Sequence, residues 1–118
     1  MDMNRMTIKL QEALQSASAL AMRRGHQGID VEHLLLALME QEGGIAGSLF
    51  EQAGVSPAAV RQAAEQALTK VAQVHGPGAA PGQIHLTPRL GSLLTKAEDR
   101  MKELRDEFVS VEHMILAM

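Results

Sequence analysis

One phrase occurs twice, and its spacing limits the folds open to this chain more than any other feature. Asp30-Val31-Glu32-His33-Leu34-Leu35-Leu36-Ala37-Leu38 returns as Ser110-Val111-Glu112-His113-Met114-Ile115-Leu116-Ala117-Met118, 80 residues on. The same shift, without a gap, lays Thr7 on Thr87, Leu10 on Leu90, Leu14 on Leu94 and Ala17 on Ala97, so the 32 columns from Thr7 to Leu38 hold nine identities. A chain this rich in Ala and Leu would give roughly two or three by chance. Each copy opens on a capping side chain and runs into apolar residues, the pattern of a buried helix at its N-terminus. The fold class this predicts is all-α: two four-helix repeats related by a pseudo-twofold axis, the second incomplete in this chain. The expected boundaries are a first repeat over 7–74, a Gly/Pro linker over 75–86 and a truncated second repeat over 87–118 within one domain.

The elements follow in order. Thr7 caps a first helix whose Leu10, Ala13, Leu14, Ala17, Leu20 and Ala21 recur at three- and four-residue steps. Arg23 and Arg24 complement its C-terminus, and Gly25 stops it. Asp30 caps the second helix, expected from Val31 to about Gln41. That helix is apolar nearly all round, so it should lie between other helices. Gly43-Gly44 ends it, a brief third helix runs from about Ile45 to Ala53, and Ser56-Pro57 opens a fourth that reaches about Val74, with Val60, Ala64, Ala67, Leu68 and Val71 inward. Met3 and Met6 should pack back on the domain. In the second repeat Thr87-Pro88 restarts the pattern, with Leu90, Leu93, Leu94, Ala97, Met101 and Leu104 as the stripe and Glu98 to Lys102 as an i,i+4 pair on the wet side. Counterparts of Ile45 to Val74 would fall beyond Met118, so the last apolar helix is expected to lack partners and to self-associate.

Several chemistries are disfavoured. The 118 residues contain no cysteine, which excludes disulfides and thiolate chemistry. Eleven Lys and Arg stand scattered against 14 Asp and Glu, a balance that argues against a nucleic-acid footprint. The longest apolar run is far too short to span a membrane and the N-terminus lacks a signal pattern, so a soluble intracellular protein is expected. Phosphate-cradling glycine motifs and H-E-x-x-H are absent, and no two of the five histidines stand three or four apart on one helical face, so neither a cofactor nor a metal site is expected. His33 and His113, three residues past their caps, are expected to hydrogen-bond within their own repeats. A Ser-His-Asp hydrolase can be assembled on paper from Ser92, His113 and Asp106, but helical proteins offer such triplets freely, and no catalytic residue is assigned.

The pieces in combination resemble a known family. His26-Gln27-Gly28-Ile29-Asp30-Val31-Glu32-His33 with its Leu-Leu-Leu-Ala-Leu run, then Glu40-Gln41-Glu42-Gly43-Gly44, then Ala53-Gly54-Val55-Ser56-Pro57 look like the N-terminal domain of the Clp/Hsp100 AAA+ unfoldases. Asp106-Glu107-Phe108-Val109-Ser110-Val111-Glu112-His113 is closest to the ClpB, or disaggregase, branch. The resemblance implies a substrate-recognition domain, tethered above a hexameric ATPase ring, that engages exposed apolar segments of unfolded or aggregated polypeptides in the cytoplasm. ATP and Mg would belong to the rest of such a protein and not to these residues. The protein-binding patch it implies falls on Thr7, Asp106 and Glu112, with apolar neighbours Leu90, Leu94, Phe108 and Val109. The bland readings of the first three are a helix cap, a solvated loop acid and a first-turn dipole partner. Two rivals remain: an adaptor-docking domain, as in the protease-coupled branch, and a helical DNA-binding domain.

Overall fold

The computed structural model describes residues 5–41, 43–71 and 85–118. Its helices are α1 (Ile8–Arg23), α2 (Val31–Glu40), α3 (Ala46–Gln52), α4 (Pro57–Thr69), α5 (Pro88–Glu103) and α6 (Val111–Ala117). The duplication governs the boundaries: α5 starts and stops at the repeat positions of α1, and α6 starts at that of α2. The chemistry of the ends explains this. The Thr7 and Thr87 hydroxyls accept from the amides of Leu10 and Leu90 at 3.3 and 3.2 Å, satisfying a donor that each first turn would otherwise leave open. Both long helices close on a left-handed residue. In the first repeat it is Gly25, at φ 71°; in the second it is Arg105, at φ 59°, which carries a side chain in a region that costs about 1 kcal/mol.

One core serves both repeats. Leu10, Leu14 and Ala17 of α1 meet Leu34 and Leu38 of α2, and the same cluster takes in Leu90, Leu94 and Met101 of α5 and Met114 of α6. On the other side of α2, Leu36 packs with Ala64 and Leu68 of α4 and with Leu20. The helix that reads apolar nearly all round thus lies between two layers, as its composition requires. Leu116, the repeat counterpart of Leu36, is 60% exposed.

The repeats are also stitched to each other by backbone. Strand β1 (Gly28–Ile29), in the loop between α1 and α2, pairs in parallel with β2 (His85–Leu86), the lead into α5, with Ile29 opposite Leu86. The pseudo-twofold image is an isolated parallel bridge between Met6, ahead of α1, and Val109, between α5 and α6. Thr87 N–H donates to Ile29 O at 3.0 Å and Thr7 N–H donates to Val109 O at 2.9 Å, the same bond in each copy. Each repeat therefore begins by hydrogen-bonding to the inter-helix loop of the other. Met6 packs into the core as expected. Gly28 permits the closeness of the first crossing, since a Cβ there would stand 2.9 Å from Cγ2 of Thr87. That methyl belongs to a β-branched cap whose hydroxyl also donates to Asp30 Oδ1 at 3.0 Å, so it cannot swing away freely. Gly28→Ala should therefore cost about 1–2 kcal/mol, the worth of a lost cap, read as a lower urea midpoint at unchanged m.

Four expectations are corrected. The chain between the repeats was expected to be a linker through Leu86, yet His85 and Leu86 form β2; residues 72–84 lie outside the described ones, as does Met3. The fold remains all-α in its layers, with this short ladder added. Helix α4 ends at Thr69, short of Val74, and Val71 is exposed. Leu104 is exposed as the C-cap of α5, because the chain has already turned away from the stripe at the last turn.

Candidate functional site

The residues expected to form a binding patch divide by burial. Leu90 and Val109 are fully buried and Leu94 nearly so. Leu90 and Leu94 face inward from α5, and Val109 is held by the Met6 bridge, so none of the three is open to a ligand. Their expected place at the surface is corrected: they belong to the shared core. Thr7, Asp106, Phe108 and Glu112 remain accessible, and Phe108 is 49% exposed.

Two adjoining clefts gather these four. One, of about 370 Å³, is lined by Leu104, Asp106, Phe108, Glu112 and Leu116, with Glu107, Ser110 and His113. The second, of about 210 Å³, is lined by Thr7, Ile45, Ser110 and Val111, with Lys9, Gln41, Gly43 and Gly44. Ser110 belongs to both, so Thr7 stands at one end of a continuous surface and Asp106 and Glu112 at the other. Leu104, Leu116, Ser110 and Ile45 were missed in the sequence. For Leu116 the signal was the lack of partners expected of the last helix; Leu104, Ser110 and Ile45 carried none.

The acidic end is held in place by a histidine. The Ser110 amide donates to His113 Nδ1 at 2.9 Å, so the proton of the neutral ring sits on Nε2, which donates to Asp106 Oδ2 at 2.9 Å. Ser110 Oγ lies 2.9 Å from the same Nδ1 and also accepts from the His113 amide at 3.5 Å. The distances imitate a nucleophile, base and acid, but the first repeat explains them otherwise. There Asp30 caps α2, His33 Nδ1 accepts from the Asp30 amide at 2.9 Å, and His33 Nε2 lies 2.8 Å from Nδ1 of His26, the counterpart of Asp106. The same frame thus forms without a serine, which makes it a capping box. Ser92 lines a different cleft, with Val31, Leu35 and Leu93, and no described hydrogen bond joins it to His113.

The two copies of the patch differ in charge. At the head of the first repeat's α2, Arg89 Nη1 of α5 reaches across from the second repeat to lie 2.9 Å from Glu32 Oε1 and 3.3 Å from Asp30 Oδ2, which keeps the guanidinium firmly protonated. The pseudo-twofold image of Glu32 is Glu112, which makes no ion pair among the described residues, and that of Arg89 is Lys9, which has a partner of its own. Among the described residues no group of three or more His, Cys, Asp or Glu is arranged to hold a metal. No helix among them is long and apolar enough to cross a membrane.

The family model described as Clp repeat (R) N-terminal domain matches residues 5–118. The chain belongs to that family. The resemblance carried by the repeated phrase is thereby shown at the level of the family. Among curated relatives, Clp repeat sequences with 46% identity over 118 residues and 43% over 117 occur in the proteins named Chaperone protein ClpB of Nitratidesulfovibrio vulgaris and Bacillus cereus. The matches cover 100% and 99% of this chain, and the chain spans 14% of the length of each relative. Among solved structures, the N-domain of ClpV from Vibrio cholerae superposes with a TM-score of 0.80 at 22% identity, over 97% of this chain and 66% of that one. The Hsp104 N-terminal domain from Candida albicans gives 0.79 at 20% identity, over 95% and 71%. A complex of the ClpV N-domain with a VipB peptide gives 0.78 at 22%, over 97% and 67%. This chain is thus a Clp repeat N-domain of the kind found in ClpB-like chaperones, and its helical pairs are the fold those structures share.

Proposed function

We propose that this domain recognises substrate for a ClpB-type ATP-dependent protein disaggregase of the cytoplasm, holding exposed apolar segments of unfolded or aggregated polypeptides. The observation that carries the reading is Phe108, with Leu104 and Leu116, open to solvent inside a rim of Asp106, Glu107 and Glu112. Apolar side chains left in water gain about 25 cal/mol for each Å² a partner covers, without demanding a particular sequence. The acidic rim favours segments flanked by Lys or Arg, and Arg89 seated on Glu32 is an internal sketch of such a contact. Small area and adaptable contacts keep the affinity weak, which suits a domain that must hand its cargo on. The ATP- and Mg-dependent hexameric ring would lie in the remainder of the full-length protein.

Titrating a fluorescent, permanently unfolded polypeptide checks this. Thr7→Ala, Asp106→Ala, Phe108→Ala and Glu112→Ala should each weaken binding by about three- to tenfold. In thermal melts run beside the titrations, Phe108→Ala and Glu112→Ala should stay close to the parent, while Thr7→Ala loses about 1 kcal/mol with its cap. Affinity that falls only in proportion to fold in all four would remove the patch. One tight, saturable native partner bound in place of many weak unfolded ones would favour the adaptor-docking reading, for which the ClpV N-domain with its VipB peptide is a precedent in another protein.

A further inference from the structure

The first repeat holds two imidazoles that the candidate site does not use. His26 and His33 are buried, with His26 Nδ1 2.8 Å from His33 Nε2 and the rings edge to face at 5.0 Å. His33 Nδ1 accepts the Asp30 amide proton at 2.9 Å and so carries none itself. Its proton therefore sits on Nε2 and is donated to His26 Nδ1. That leaves the His26 proton on Nε2, a buried atom with no hydrogen-bond partner among the described residues. A further proton has two places to go. On His33 Nδ1 it would face the Asp30 N–H, and on His26 Nδ1 it would face the His33 N–H. Either sets two donors against each other and parts the chain of bonds.

What that chain holds is the junction of the repeats. Asp30 caps α2, accepts the Thr87 hydroxyl and pairs with Arg89. We infer that His26 and His33 form a proton-operated latch: a proton taken up by the pair uncaps α2 and loosens the grip of Asp30 on Thr87 and Arg89 across the repeat junction. The second repeat has no such device, because the counterpart of His26 is Asp106, an exposed carboxylate that accepts from His113.

The charges around the pair are few. Burial is the largest cause lowering both rings from the ordinary value of 6.5. Arg24 of the α1 terminus, paired with Glu65 of α4 at 2.7 Å, lowers both further, and His26 lowers His33. Asp30 and Glu32 of α2 pull His33 back up, and Arg89 of α5 sits on both acids. The folded rings thus bind protons less readily than the open chain. Stability is full above about pH 6.5 and is lost as pH falls through that value.

The test compares the parent domain with His26→Asn/His33→Gln, in which Gln at the third helical position keeps the capping box and donates to the Asn oxygen, leaving neither group to titrate. Taking the pH from 7.5 to 6.0 should lower the parent's folding equilibrium constant about tenfold, and the double variant's by less than twofold beyond any change shared with His113→Gln. Native-state hydrogen exchange on the parent gives a second measurement that needs no variant. The Leu34 amide, bonded to Asp30 O, should lose more protection over this range, after correction for intrinsic rate, than the Met114 amide, bonded to Ser110 O. Parallel losses in parent and double variant, or equal losses at Leu34 and Met114, would overturn the latch.

Discussion

Leu90→Ala should cost about 3 kcal/mol of stability and leave the affinity of the folded fraction for unfolded polypeptide unchanged. Leu90 is fully buried where the stripe of α5 meets α1 and α2 in the shared core. Removing three heavy atoms there gives up their transfer free energy and leaves a cavity that a close-packed, Ala-rich interface cannot collapse to fill. For a domain of this size the loss corresponds to a fall of roughly 10–15 °C in Tm. Differential scanning calorimetry read beside a titration corrected for the folded fraction checks it. A normal melt with lost binding would return Leu90 to the surface and contradict its burial.

Glu112→Lys should lower affinity for basic-flanked unfolded segments by about ten- to a hundredfold while the domain still folds. Glu112 is exposed in the first turn of α6, where reversing its sign forfeits only a few tenths of a kcal/mol of dipole compensation. At the binding surface the change is larger, because a cation on the segment would meet a cation where it had met two acids, and juxtaposed like charges cost several kcal/mol. Raising ionic strength should shrink the difference between parent and variant, since exposed charges are screened within about 8–10 Å. Isothermal titration at two salt concentrations with one basic-flanked and one neutral-flanked peptide reads both effects. Equal losses for the two peptides would show that Glu112 acts through the fold and not through charge.

Helix starts, most helix ends and the inward face of most helices were legible because their causes are local. Thr7, Asp30, Ser56, Thr87 and Ser110 cap, Gly25 and Gly54 stop, and apolar spacing names the inner face of each helix. The stitch between repeats was not legible, because a two-residue strand is too short to show alternation and its partner lies in the other copy. Gly28 therefore stood in the sequence with nothing to show that it lets Thr87 approach. Of the residues expected at the candidate site, Thr7, Asp106, Phe108 and Glu112 lie at the surface and Leu90, Leu94 and Val109 do not, since an apolar residue at a seam and one in the core have the same chemistry in one dimension. Arg89 on Glu32 was missed for the reason long-range pairs usually are: nothing near either residue announces the other.

The bond between Thr7 and Val109 sets a timetable for folding. Met6 and Thr7 are made well before their backbone partner, which lies about a hundred residues later. Until α5 has been made, the head of α1 has no strand to pair with and Leu10 no Leu90 to cover it. A helical protein with such distant closures should fold more slowly than a simple hairpin of helices, since the loop must close before its contacts stabilise it. The half-made chain therefore presents to the cell an uncovered apolar face of the sort we propose the finished domain to recognise.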